Sequence, residues 1–363
     1  MNKKVLAGCR HGDGGKEDSR WCQQCAAEKF KNRFREWTCN PSLNKIIQWS
    51  QKYSTAASDY LLFIKFDRLK DVKHFADGRY GSIYEALWVD GPEWIWDSSE
   101  NIWKSETNMK VFKYVKLLTN GSLTDFFGIT EDYLGNYLFV MRFYEDGNLY
   151  EYLEKNYDII SWRDNIDMLQ SIAEGLYKIH VERKFHSNLH GGNILIEDKT
   201  TFVEARVSDV GLYGPADKQR SFTDNYGVLP FVAPEILRGE QPEEKEVCKF
   251  NQAADIYSFG IIMATISTGK KPYYDRDHNQ DLVEDICSKD LRPKITKEMI
   301  PNLYYELMTK CWSSNPEERP SASELYNTFK KWTFALDEPD LSDIAIQFNE
   351  ADDKKWKPTS DFI

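Results

Sequence analysis

Long apolar runs are the first thing this sequence lacks. No stretch approaches the roughly 18 apolar residues of a membrane span. The start, MNKKVLAGCRHGDGGK, turns polar before a secretory core forms. A cationic surplus is missing as well. Lys and Arg number 47 against 58 Asp and Glu, a formal net charge of −11, which leaves no basic footprint for a nucleic-acid backbone. Seven cysteines, an odd number scattered over 363 residues, exclude a disulfide framework and argue for reduced thiols. These absences imply a cytoplasmic chain, nuclear residence remaining open, with neither nucleic acid nor membrane as partner.

What is present is the balance of a globular protein, 41% hydrophobic and 29% charged residues. The length allows roughly two domains, or one large bilobal domain with extensions. Residues 1–65 form a cysteine-containing extension with Cys9, His11, Cys22, Cys25 and Cys39. WCQQC is a CxxC pair, half of what a tetrahedral zinc site requires. Cys9 and His11 lie closer together than ligands usually do, so zinc and free thiols both stay open. In SLNKIIQWSQKYSTAASDYLLFI apolar residues recur at helical intervals, which predicts one or two helices.

From residue 66 to 144 short β-branched and aromatic runs alternate with Gly, Asp and Asn, the pattern of a small antiparallel sheet. From 145 to 335 the pattern is helical. In NIDMLQSIAEGLYKIH, Ile166, Leu169, Ile172, Ala173, Leu176 and Ile179 fall on one face. DIYSFGIIMATISTG is apolar nearly all round, as a helix central to a helical body is. Residues 336–363 are acidic and polar and read as a helix with a solvated tail.

A small sheet followed by a helical lobe suits the holding of a nucleotide between two bodies. ADGRYGSIY sets Gly78 and Gly81 in a turn between two strands, where absent side chains let backbone amides approach a phosphate. A plain hairpin turn reads the same way. The pattern GxGxxGxV is nearly met, with Ala76 for its first glycine and Ile83 for its valine. Lys113 follows in KVFKYV. HRDxxxxN is met as His186, Ser187, Asn188 and then Asn193. VSDVGLY supplies Asp209 and Gly211. Then come LPFVAPEIL with Glu235, AADIYSFG with Asp255, and CWSSNPEERPSASEL with Arg319.

In order and separation these blocks resemble the eukaryotic protein kinases. Among these the sequence is similar to the tyrosine-kinase-like group and to kinases expanded in arbuscular mycorrhizal fungi. The resemblance implies an α+β, bilobal fold with a small antiparallel N-lobe and a mostly helical C-lobe, ATP and Mg²⁺ as ligands, and a protein substrate or signalling partner. It assigns Mg²⁺ to Asn193 and Asp209, the phosphates to Lys113, and the loop above them to Gly78 and Gly81. Met141 would lie behind the adenine, and backbone groups around Phe143 would meet its edge. Ile83, Val111 and Leu195 would sandwich the base, and Ala76, at the first glycine position of the loop, belongs to the same ATP-binding set. His186, Gly211, Glu235, Asp255 and Arg319 would be structural.

The departures from the family converge on catalysis. Asn188 stands where the family has an aspartate that accepts the substrate hydroxyl's proton, and an amide has no useful basicity near pH 7. Ser187 replaces the arginine that grips a phosphorylated activation loop. Only twelve residues, Tyr114–Asp125, separate Lys113 from the next strand. The family places there a helix of three or more turns whose glutamate pairs with the lysine, and at 1.5 Å per residue it does not fit. Either that helix is gone or an exon is missing. The expectation is a degenerate, pseudokinase-like domain; the alternative is an active enzyme transferring the ATP γ-phosphate to Ser, Thr or Tyr.

Overall fold

A computed structural model describes residues 27–28, 30–31, 37–54, 60–78, 81–91, 95–97, 102–104, 109–114, 124–199, 201–209, 228–240, 247–338 and 342–356. The chain divides into two compact units, which part between Phe143 and Tyr144.

The first unit opens with helix α1, Pro41–Tyr53. Asn40 starts it by accepting hydrogen bonds from Ser42 N and Leu43 N, and Pro41 pre-sets the first helical turn. Leu43 and Ile47 are buried on one side, where they meet Ile129 together with Phe63, Tyr137 and Phe139. A side-chain amide fixes the helix against the chain that follows, Gln51 Nε2 donating to Leu61 O at 2.9 Å.

Strands β1 (Leu62–Phe63), β2 (Leu69–Gly78), β3 (Gly81–Trp88), β4 (Ile95–Asp97), β5 (Ile102–Lys104), β6 (Met109–Tyr114), β7 (Phe126–Glu131) and β8 (Tyr137–Arg142) follow. Six of them form one sheet in the order β1-β7-β8-β6-β3-β2, while β4 and β5 pair as a separate hairpin. The sheet is antiparallel as predicted, apart from β1, which joins parallel to β7. Periodicity gave no sign of this two-residue strand. Gly128 makes it feasible, because a Cβ there would lie 1.9 Å from Leu62 O. Ile64, Leu69, Ala86, Trp88, Phe127 and Val140 fill the core of this unit.

The second unit is mostly helical. It contains α2 (Leu149–Asn156), α3 (Trp162–Val181), the hairpin β9 (Ile194–Lys199) and β10 (Phe202–Val207), then α4 (Pro234–Leu237), α5 (Val247–Thr268), α6 (Gln280–Ser288), α7 (Asn302–Cys311), α8 (Ala322–Asp337) and α9 (Asp343–Trp356). Capping boxes start α2, α3 and α8, each satisfying otherwise orphaned backbone donors. The predicted stripe on α3 is buried, Ile166, Leu169, Ile172 and Leu176 each at 0% exposure. Helix α5, apolar all round, runs through the core.

Helix α9 lies within the acidic stretch read as a helix with a solvated tail, and the helix itself is packed. Phe348 is fully buried, with its ring 5.9 Å from that of Trp162 and 5.5 Å from that of Trp332. Asp352 Oδ1 accepts a hydrogen bond from Trp162 N at 2.9 Å, the first turn of α3. Lys355 Nζ donates to Ile160 O at 2.9 Å. Charge and polarity outweigh three well-spaced apolar positions when the stretch is read by composition, yet Ala345, Phe348 and Ala351 suffice to seat it.

Candidate active site

The loop that carries Asn188 is held by its backbone. Asp255, on α5 and 2% exposed, accepts from His186 N at 2.7 Å and from Ser187 N at 2.9 Å. His180 Nε2 lies 3.0 Å from the same carboxylate. Three donors thus converge on one buried anion, the arrangement that makes a buried carboxylate tolerable. Ser187 takes the left-handed conformation, φ 66°, and turns the chain toward Asn188.

His186 fixes the next link. Its Nε2 faces Ser208 O at 2.7 Å, an acceptor, so Nε2 carries the proton and Nδ1 is free to accept from Asn188 N at 3.2 Å. Asn193 closes the loop on itself. Its Nδ2 donates to Asn188 O at 2.9 Å, and its own carbonyl receives Ser208 N at 2.8 Å and Ser208 Oγ at 3.0 Å. Ser208 precedes Asp209, so the candidate metal residues Asn193 and Asp209 are tied together through the backbone.

His190 is the residue that the motif did not single out. Its Nδ1 accepts from Gly192 N at 3.1 Å and caps the short turn Gly191–Asn193. Burial pushes its pKa down to about 4, so the imidazole is neutral near pH 7 and its proton sits on Nε2. That Nε2–H lies 3.4 Å from Asn188 Nδ2. Two donors do not bond, so the contact assigns the amide in its flipped form, Oδ1 toward His190 and Nδ2 away. Tyr150 of α2 backs the turn; a Cβ on Gly191 would come within 2.6 Å of its ring.

Asp209 follows strand β10 with φ 61°. Burial raises the pKa of its carboxyl, His186 opposing the shift in part. Among the described residues no hydrogen bond or ion pair reaches this carboxylate. A desolvated carboxylate and, tied to it through the backbone of Ser208, the amide oxygen of Asn193 are hard oxygen donors of the kind that suit Mg²⁺. Gly211 lies outside the described residues.

Two further residues placed by motif meet as an ion pair. Arg319 Nη1 and Nη2 reach Glu235 Oε1 and Oε2 at 2.6 and 2.7 Å, both side chains at 0% exposure. Arg319 also donates from Nη1 to Ala253 O and from Nε to Ser313 O, so four of its five donors are used. Leu195, on β9, makes an isolated bridge with Asn148.

In the sheet unit, register places the remaining candidates. Gly78 pairs with Gly81 and Ala76 with Ile83, so they close the β2–β3 hairpin. Asp77 braces it by accepting from Ser82 Oγ at 2.7 Å. Val111 stands opposite Ala86, and Lys113 opposite Tyr84 on one side and Val140 on the other. Met141 pairs with Phe112 and with Phe126. The Phe143 ring is 6.2 Å from that of Phe75. Cys9, His11, Cys22 and Cys25 lie outside the described residues. Among those described no His, Cys, Asp and Glu cluster suits a metal ion.

Sequence reasoning missed His180, His190, Tyr150 and Ser208. The sole signal was the spacing of three histidines along KIHVERKFHSNLH.

Comparison with known proteins agrees with this geometry. Residues 69–329 match the family described as protein tyrosine and serine/threonine kinase. A probable serine/threonine-protein kinase of Dictyostelium discoideum is 24% identical over 268 residues, which is 72% of this chain and 16% of that protein. Serine/threonine-protein kinase STY17 of Arabidopsis thaliana is 24% identical over 311 residues, 84% of this chain and 50% of that one. Dual specificity protein kinase shkD of Dictyostelium discoideum is 31% identical over 195 residues, 53% and 23%. The chain therefore spans at most half the length of these relatives. With its helical and sheet units, its loop from His186 to Asn193 and its Glu235–Arg319 pair, the chain belongs to the protein tyrosine and serine/threonine kinase family.

Proposed function

We propose that this kinase domain binds ATP with Mg²⁺ but transfers phosphate weakly or not at all, and acts in signalling as a scaffold or allosteric partner. The observation that carries this reading is Asn188. Its backbone is anchored through His186, and its amide is oriented by His190. An amide so held accepts a hydrogen bond but takes no proton, and general-base catalysis supplies typically 10²–10⁴-fold. Asn193 and Asp209 would hold the metal, which supplies charge neutralisation at the phosphates. From the sheet unit, Lys113, the Gly78–Gly81 turn, Ala76, Ile83, Val111, Met141 and Phe143 are the residues proposed for ATP, with Leu195 from the helical unit. The twelve residues Tyr114–Asp125 leave no room for the family's glutamate-bearing helix, so Lys113 is proposed to lack that partner.

The rival reading, an active kinase, is favoured by the same Asp209 and Asn193, which a chain without need of metal has no physical reason to hold in this form. The placement within the tyrosine-kinase-like group, the likeness to mycorrhizal fungal kinases and a cytoplasmic location are parts of this proposal. So is the division into an extension (1–65), a kinase domain (66–335) and an acidic C-terminal segment.

Two measurements test it. Mg·ATP at one hundred times its dissociation constant should stabilise the protein by about 2.7 kcal/mol, and Asp209→Ala should lose the Mg²⁺-dependent part. Labelled ATP with a generic protein substrate should give no more label than that variant does. Label clearly above the Asp209→Ala background would establish the active kinase instead.

A further inference from the structure

A second feature of the helical unit lies apart from the catalytic loop. Where α5 ends, residues 270–276 and the segment Leu291–Lys294 after α6 enclose a pocket of about 260 Å³. Tyr273 OH donates to Leu291 O at 3.1 Å and joins the two walls. Pro272, Leu291 and Pro293 supply apolar surface. Lys270, Lys271, Arg276, Arg292 and Lys294 line the pocket, against a single acid, Asp275. In a chain of net charge −11, this local excess of cations is not a consequence of composition.

Three of the five cations are already matched. Arg276 meets Asp285 at 2.7 Å, Arg292 meets Asp290 at 2.7 Å, and Lys294 meets Asp275 at 2.5 Å. Lys270 and Lys271 are not. Among the described residues their ammonium groups face tyrosines alone: Lys270 Nζ is 4.5 Å from the Tyr274 ring and 3.3 Å from its hydroxyl, and Lys271 Nζ is 5.2 Å from the Tyr150 ring. Lysines just past a helix C-terminus usually complement the helix dipole. Here neither Nζ bonds a terminal carbonyl of α5. Tyr274, which lines the pocket, holds the Lys270 ammonium there, while that of Lys271 rests over Tyr150 beyond the lining, and neither spends its hydrogen-bond donors on an anion.

We infer that this pocket is a binding site for a phosphate monoester, its phosphate bridging Lys270 and Lys271 while the Pro272–Leu291–Pro293 surface receives the carbon body of the ester. A phosphomonoester carries about −1.5 to −2 charge at pH 7, which matches two unpaired ammonium groups. The volume lies just under the roughly 300–1,000 Å³ of drug-sized sites, so the occupant is a phosphorylated side chain or a small free ester. Lys271 packs over Tyr150, and Tyr150 backs Gly191 of the catalytic loop. An occupant that draws Lys271 into the pocket therefore changes what supports that loop.

The test is calorimetric titration of the full chain with phenyl phosphate, inorganic phosphate, and a short peptide with and without a phosphorylated tyrosine. Binding of a phosphorylated probe that weakens at least about tenfold in Lys270→Ala/Lys271→Ala, but not in Lys330→Ala on α8, supports the site, provided thermal melting shows both variants folded. Phenyl phosphate binding without peptide binding identifies a free ester as the source; the reverse identifies a phosphorylated polypeptide. Inorganic phosphate alone, equal binding of the unphosphorylated peptide, affinity unchanged in the double variant, or no binding at all would overturn the inference.

Discussion

The helical unit and the sheet unit stay folded by different means. In the helical unit charge is buried and matched: Asp255 with three donors, Glu235 with both arms of Arg319. Such networks tolerate little displacement, because a lost partner leaves a charge stranded in low dielectric. In the sheet unit the described ion pairs are exposed or half-exposed, as with Arg68 and Asp90 or Arg142 and Asp125. There the holding is apolar, from a small core and from α1 against β7 and β8. The lesson is that the frame of the catalytic loop is secured by groups that do no chemistry, so its retention says nothing of whether the chemistry survives.

The sharpest way to break the contrast is to strand a charge in the helical unit. Arg319→Met leaves the Glu235 carboxylate buried without its partner and should cost about 3–5 kcal/mol in urea unfolding. Glu235→Leu combined with Arg319→Met should cost much less than the two single changes added together, since the second removes the stranded charge. Additive losses would mean that the pair is not the buried unit its geometry indicates.

The matching test for the sheet unit is apolar. Ile47→Ala removes a fully buried side chain from the α1 contact and should cost about 2–5 kcal/mol locally. Hydrogen exchange resolves where. The amides of β7 and β8, and Ile64 N bonded to Ile129 O, should exchange faster, while those of α5 should not change. Equal acceleration in α5 would show that the two units unfold as one.

Legibility in the sequence followed the same division. The α3 stripe and the apolar α5 were readable because each obeys a periodicity, and Asp255, Glu235 and Arg319 because their motifs resemble those of the kinase family. The parallel β1 was not, since two residues carry no period and the enabling Gly128 looks like any strand glycine. Nor was the packing of α9, where three apolar residues are diluted by acids. His190 was invisible as a positioning group. Its role comes from Nδ1 accepting a backbone amide, which no spacing announces.

His190 sharpens the comparison at the catalytic position itself. In Asn188→Asp the Nε2–H of His190 would donate to the new carboxylate, so the base would arrive already oriented. If position 188 is the main lesion, label transfer should rise by roughly 10²–10⁴-fold over the parent. No rise, with Mg·ATP still bound, would move the defect to the sheet unit and to the shortened span after Lys113.

The smallest effect concerns a place where the helical unit departs from its own rule. Asp352 accepts from Trp162 N at the start of α3, yet burial outweighs that bond and its attraction to Lys355, and its carboxyl pKa is raised. A carboxyl whose folded pKa is raised above its unfolded value contributes fully below the unfolded pKa, and the contribution fades as pH rises through the folded one. Asp352→Asn keeps an oxygen for Trp162 N and cannot ionise. At pH 7 it should therefore be the more stable protein, by under about 1 kcal/mol once solvent screening is allowed for. The advantage should shrink as pH falls toward about 4, the ordinary carboxylate range. Melting curves of both proteins across that interval decide it, because an advantage that stays constant with pH would assign the effect to packing rather than to the charge.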